Sequence, residues 1–84
     1  MQVTITVTFT NTNPGDSSLT ASFNGVEKTL TQSGKLSFEN VPNDQAIQID
    51  GKSLGSTSLK IDVHASPPSL DFPPGVFDGN FFII

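Results

Sequence analysis

Apolar and polar residues alternate from the first positions of the chain. Over residues 2–11 the row Val3, Ile5, Val7, Phe9 interleaves with Thr4, Thr6, Thr8, Thr10, which predicts a strand with one face in the core and a threonine ladder on the other. Threonine has high strand propensity and a hydroxyl that tolerates water, so the ladder is expected to be solvated and not covered by a helix. Asn13-Pro14-Gly15-Asp16 then fits a type II turn, with proline fixing φ at its second position and glycine supplying positive φ at its third.

The next alternation, residues 18–23, carries Leu19, Ala21 and Phe23 into Asn24-Gly25. That dipeptide suits a type I′ turn, in which both central residues need positive φ, and it sets a register: Phe23 opposite Val26, Leu19 opposite Leu30. Lys28 then falls opposite Ala21 on the apolar face, where an inward-leaning lysine marks a sheet margin. After a turn at Ser33-Gly34, residues 35–41 turn Leu36 and Phe38 inward, Val41-Pro42-Asn43-Asp44 breaks the strand, and residues 46–50 return with Ile47 and Ile49. A polar loop, 51–57, anchored by Leu54, precedes a strand over 58–65 with Leu59, Ile61, Val63 and Ala65 inward. No window sustains a 3.6-residue apolar period. Turn signals every eight to twelve residues or so predict an all-β fold, a small antiparallel sandwich of about seven strands, with helix content near zero.

Residues 33–51, SGKLSFENVPNDQAIQIDG, resemble the middle hairpin of transthyretin-like and carboxypeptidase-regulatory-like sandwich modules through Gly34, Phe38, Asn40-Val41-Pro42, Ile47, Ile49 and Gly51. The Gly-x-Tyr that usually follows the corner is replaced by Asp44-Gln45-Ala46. The resemblance implies an Ig-like or transthyretin-like sandwich and an accessory or adhesive role by analogy of fold, and it carries no catalytic residue across.

The end of the chain departs from the alternation. Ser66-Pro67-Pro68-Ser69 reads as a polyproline-like stop, Pro73-Pro74-Gly75 and Asp78-Gly79 as two further turns, and Phe81, Phe82, Ile83 and Ile84 as a run apolar on both faces. Residues 66–84 therefore read as a proline-rich extension of the single domain 1–84, ending in an apolar strand. Either that strand is covered on both faces by its own domain, or one face is left for another molecule, as a donated strand or in a symmetric dimer. The second reading nominates Phe77, Phe81, Phe82, Ile83 and Ile84 as the interface, with a protein partner or self-association through the C-terminal strand.

Composition removes whole classes of function. Eighty-four residues carry four lysines, no arginine and eight carboxylates, for a formal charge of −4. A nucleic-acid binder needs clustered basic residues, and an anionic membrane attracts the same, so neither is expected as a partner. No segment approaches a membrane-spanning length, and the first residues lack the basic and apolar regions of a signal peptide, although an initiator methionine replacing a removed signal reads alike. Absent cysteine excludes disulfides, thiolate metal sites and a thiol nucleophile. Abundant Ser, Thr, Asn and Gly point to a bacterial secreted or surface protein if a signal was removed, and otherwise to the cytoplasm.

Three constellations hold candidate chemistry. Ser58, Asp62 and His64 share one predicted strand face and invite a triad reading. A flat outer face offers neither oxyanion hole nor pocket, so unrelated polar residues are the plainer account and no catalytic residue is expected. Asp16, Asp44, Asp50, Asp71 and Asp78 fall in predicted turns, where Asp serves backbone hydrogen bonding; without the spacing of a calcium loop they predict no metal, and no cofactor is expected. Sugar-binding sandwiches usually stack the sugar on Trp or Tyr, both absent, which leaves phenylalanine and makes a carbohydrate or small-ligand binder the alternative. The first expectation is a non-catalytic interaction or structural module within a larger assembly or surface structure.

Overall fold

The alternating N-terminal segment forms β1 (Val3–Phe9), with its apolar row buried and Thr6 and Thr8 in solvent. A computed structural model of the chain describes all residues except Thr12 and Pro14, and it contains nine strands and no helix among them. After β1 come β2 (Ser17–Phe23), β3 (Val26–Leu30), β4 (Gly34–Phe38), β5 (Ala46–Ser53), β6 (Thr57–Ile61), β7 (Ala65–Ser66), β8 (Ser69–Phe72) and β9 (Gly75–Ile83). They build two antiparallel sheets, β4-β1-β6-β8 and β3-β2-β5-β9-β7. The inward rows of both sheets meet in one core, from Val3 and Ile5 on β1 to Phe81 and Ile83 on β9.

The hairpin at Asn24-Gly25 has the predicted register, Phe23 to Val26 and Leu19 to Leu30. Its two central residues have φ of 52° and 81°, as a type I′ turn requires. β3 is a sheet margin. At the 13–16 turn, Gly15 has φ of 87° and Asp16 N–H donates to Asn13 O at 3.3 Å, while Pro14, its predicted second residue, lies outside the described residues.

Elsewhere the sheets redraw the expected boundaries. Nine strands replace about seven because the expected strand over 58–65 divides and residues 69–72, expected as part of the proline-rich extension, form a strand of their own. β6 stops at Ile61, the chain bends through residues 62–64, and Ala65 joins the other sheet beside Ile83. Asp62 eases the departure, since its N–H still donates to Thr4 O at 3.2 Å while its Oδ1 accepts the Thr4 N–H at 2.9 Å. A side-chain acceptor thus supplies what the departing ladder no longer can. The 51–57 loop shrinks to residues 54–56, and Leu54 anchors nothing, being 71% exposed. Residues 33–51 form an arch, not a hairpin: β4 and β5 lie in opposite sheets, joined by a corner with Asn40 at φ 57° and Asp44 at φ 65°.

The proline-rich 66–84 segment is built into both sheets. β8 pairs with β6, and β9 lies between β5 and β7. Asp78-Gly79 makes no turn, since β9 runs unbroken through it with Asp78 opposite Asp50 and Gly79 opposite Ile49. Glycine stands there because Phe72 crosses it closely: a Cβ on Gly79 would lie 3.3 Å from Phe72 Cζ, the close approach that glycine within a strand often marks.

Candidate functional site

β9 shows its two faces clearly once the Asp-Gly pair is seen as strand. Phe77, Phe81 and Ile83 point into the core, with Phe81 and Ile83 fully buried. Phe77 stacks on Phe72 of β8 with ring centroids 4.4 Å apart and occupies the space above Gly51, where a Cβ would come within 2.9 Å of its Cζ. These three residues are therefore used by the chain itself. Of the five residues nominated from sequence, Phe82 and Ile84 stay exposed, at 50% and 61%. Val76, 89% exposed on the same outward row, was not nominated. Its signal was the two-residue period linking Val76, Asp78, Asn80, Phe82 and Ile84, hidden while Asp78-Gly79 read as a turn.

The strand also has a backbone margin. β5 pairs with β9 from Ala46 opposite Phe82 to Ser53 opposite Gly75 without a bulge. On the other side β7 reaches only Phe82 and Ile83. Ile83 faces β5, donating its N–H to Gln45 O at 2.9 Å and accepting Asp44 N–H at 2.7 Å, whereas Ile84 N–H turns the other way to His64 O at 3.0 Å. Ladder groups alternate between the two sides of an antiparallel strand. Val76, Asp78 and Asn80 therefore direct their N–H and C=O groups away from β5, where among the described residues no backbone pairs with them. Charge gathers beside this margin. The exposed Asp50 and Asp78 lie directly opposite each other on the outer face, with Lys52 opposite Val76.

The remaining candidates are not brought together as sites. Ser58 lies on β6, Asp62 is held by the Thr4 amide, and His64 sits exposed in the bend after β6, with no serine or aspartate oxygen hydrogen-bonded to its imidazole among the described residues. The carboxylates expected in turns are scattered, with Asp50, Asp71 and Asp78 in strands, and among the described residues no group of three His, Cys, Asp or Glu side chains could hold a metal ion. A hollow on the outer face of the four-stranded sheet is lined by Thr6, Thr8, Ser58, Lys60, Ser69 and Asp71. It contains no aromatic ring; a second hollow, beside β3, is lined by Phe23, Asn24, Val26, Lys28, Phe38, Glu39 and Asn40, with Phe23 half-buried and Phe38 buried. No helix among the described residues is long and apolar enough to cross a membrane. No protein-family model, curated protein or solved structure matches the chain.

Proposed function

We propose that the chain is a non-catalytic protein-interaction module, a component of a larger assembly or surface structure, whose C-terminal strand engages a protein partner. The observation that carries this reading is the outward row of β9: Phe82 and Ile84 are half or more exposed at the end of a strand whose margin has free ladder groups. Exposed apolar side chains beside an unpaired strand are the raw material of strand-addition interfaces. The engagement of Asp62 by a backbone amide, away from His64, favours a non-catalytic role.

The test keeps the full chain, since removing residues 81–84 would take Phe81 and Ile83 out of the core. A photo-crosslinking amino acid is placed at position 82, and at position 29 on the far margin strand as control, and each protein is irradiated in an extract of the source cells. A discrete protein adduct at position 82 and none at 29 is expected. Equal labelling at both positions, or none at 82, overturns the proposal.

A further inference from the structure

An unpaired strand margin is a template for another strand, and proteins ordinarily blunt it with short strands, prolines, bulges or charge. Residues 76–80 of β9 have no bulge and no proline, and their register with β5 is regular. The device present is one carboxylate, Asp78, in the middle of the margin. Its effect depends on what arrives. A second copy pairing antiparallel in full register over residues 76–80 sets Asp78 against Asp78, with an Asp50 behind each, so four carboxylates line up across the joined sheet. Like charges directly opposite are unfavourable, and each molecule already carries a formal charge of −4. Self-pairing is thereby opposed. A strand with a cation at that position meets the reverse situation: its ladder groups satisfy Val76, Asp78 and Asn80, and its charge lies beside Asp78, with Asp50 behind it.

We infer that residues 76–80 of β9 accept an extended segment of a different protein, one that places a lysine or arginine opposite Asp78. This identifies the partner's chemistry for the interaction proposed above and rests on that reading. In the antiparallel arrangement the segment's outward residues would run apolar opposite Val76, basic opposite Asp78 and polar opposite Asn80. Main-chain hydrogen bonds supply the attachment and the alternate side chains supply selectivity. Lys52 opposite Val76 offsets one carboxylate, so selectivity falls on the charge nearest the margin, Asp78.

The experiment uses the full, isotopically labelled chain at low salt. The probes are a capped nine-residue peptide of alternating threonine and valine with lysine at its centre, and the same peptide with glutamate there. The lysine peptide is expected to slow hydrogen exchange at the amides of Val76, Asp78 and Asn80. The glutamate peptide should bind about three- to ten-fold more weakly, as a surface charge pair turned into a repulsion implies, and the difference should shrink as salt is added. Asp78→Lys should invert the preference. Asn80→Pro, which removes an N–H directed to the margin and none directed to β5, should stay folded and lose the lysine peptide. Equal binding of both peptides, no binding of either, or undiminished binding to Asn80→Pro overturns the inference; a crosslink at position 82 would then still uphold the proposed function. A lysine peptide that perturbs Phe82 and Ile84 while leaving the margin amides unprotected also overturns it, and in that case the strand keeps its role as an interface. Protection of the margin amides by self-association, with no peptide present, overturns it in favour of a second copy.

Discussion

The two lateral sides of the sandwich are closed by different means. On one side, β3 and β4 end their sheets next to each other and Lys28 spans them: its ammonium donates to Ser37 O and lies 5.3 Å from the centre of the Phe38 ring. That ring meets Phe23 edge-on with centroids 6.3 Å apart. On the other side, β8 and β9 meet through the stacked rings of Phe72 and Phe77 beside Gly79, and no side chain among the described residues hydrogen-bonds across to the margin of β9. The first side uses a cation to occupy an outward carbonyl. The second closes its interior with aromatic surface and leaves ladder groups outside. A charge that reaches a backbone acceptor blunts a margin for every comer, while a charge that only faces outward selects among them.

The largest effect should come from the aromatic side. Phe77→Ala removes a buried ring, its stack on Phe72 and its cover over Gly51, and a phenylalanine truncated in a core costs about 3–5 kcal/mol. Small domains hold only about 5–15 kcal/mol in total, so urea denaturation of this variant should show a large fall in midpoint, or no folded baseline at all. Phe82→Ala on the outward row of the same strand is the control and should stay within about 1 kcal/mol of the parent. Comparable losses in the two variants would mean that the burial contrast along β9 does not govern its stability.

Lys28→Met keeps the aliphatic stem against Phe38 and deletes the ammonium. The expected loss is about 1 kcal/mol, the scale of an exposed cation over a ring together with one hydrogen bond. The more telling readout is association, because the freed Ser37 carbonyl and the β3 margin become competent to pair. Concentration-dependent light scattering by Lys28→Met, absent in the parent, is the expected result. An unchanged monomer would show that this side is protected by its shape and not by its lysine.

The strands themselves were largely legible, and the sides were not, for a physical reason that two dipeptides illustrate. Asn24-Gly25 turns where the sequence says it should, because its flanking residues pair with each other within one hairpin and need nothing distant. Asp78-Gly79 reads as the same kind of signal and stays extended, because the residues around it pair with β5, about thirty positions earlier in the chain. Local chemistry proposed a turn and a long-range ladder overruled it. The division of residues 58–65 was hidden in a related way: Leu59, Ile61, Val63 and Ala65 keep one inward period while the chain changes sheets, since a sandwich core looks alike from either layer. At the tail, Phe81, Phe82, Ile83 and Ile84 are all apolar, so alternation cannot separate the two that are buried from the two that are exposed. Which strand margin stays open depends on sheet order, and no residue period encodes that.

The smallest expected effect on stability belongs to Asp78, and it bears most directly on the contrast between the two sides. Asp78→Asn relieves a carboxylate directly opposite Asp50 and should stabilise the fold by about 0.2–1 kcal/mol, an increment that fades with added salt as screening shortens the reach of the repulsion. A carboxylate that opposes its own fold and also faces an open margin has a second place to act, since the same repulsion meets any like-charged strand that arrives there. If Asp78 keeps copies of the chain apart, sedimentation equilibrium at high concentration and low salt should find Asp78→Asn self-associating while the parent remains a monomer, and Asn80→Pro added to the variant should restore the monomer by removing one of the margin's donors. A variant that gains stability without associating would instead assign the protection of this margin to its surroundings, and Asp78 would then be left with the choice of partner alone.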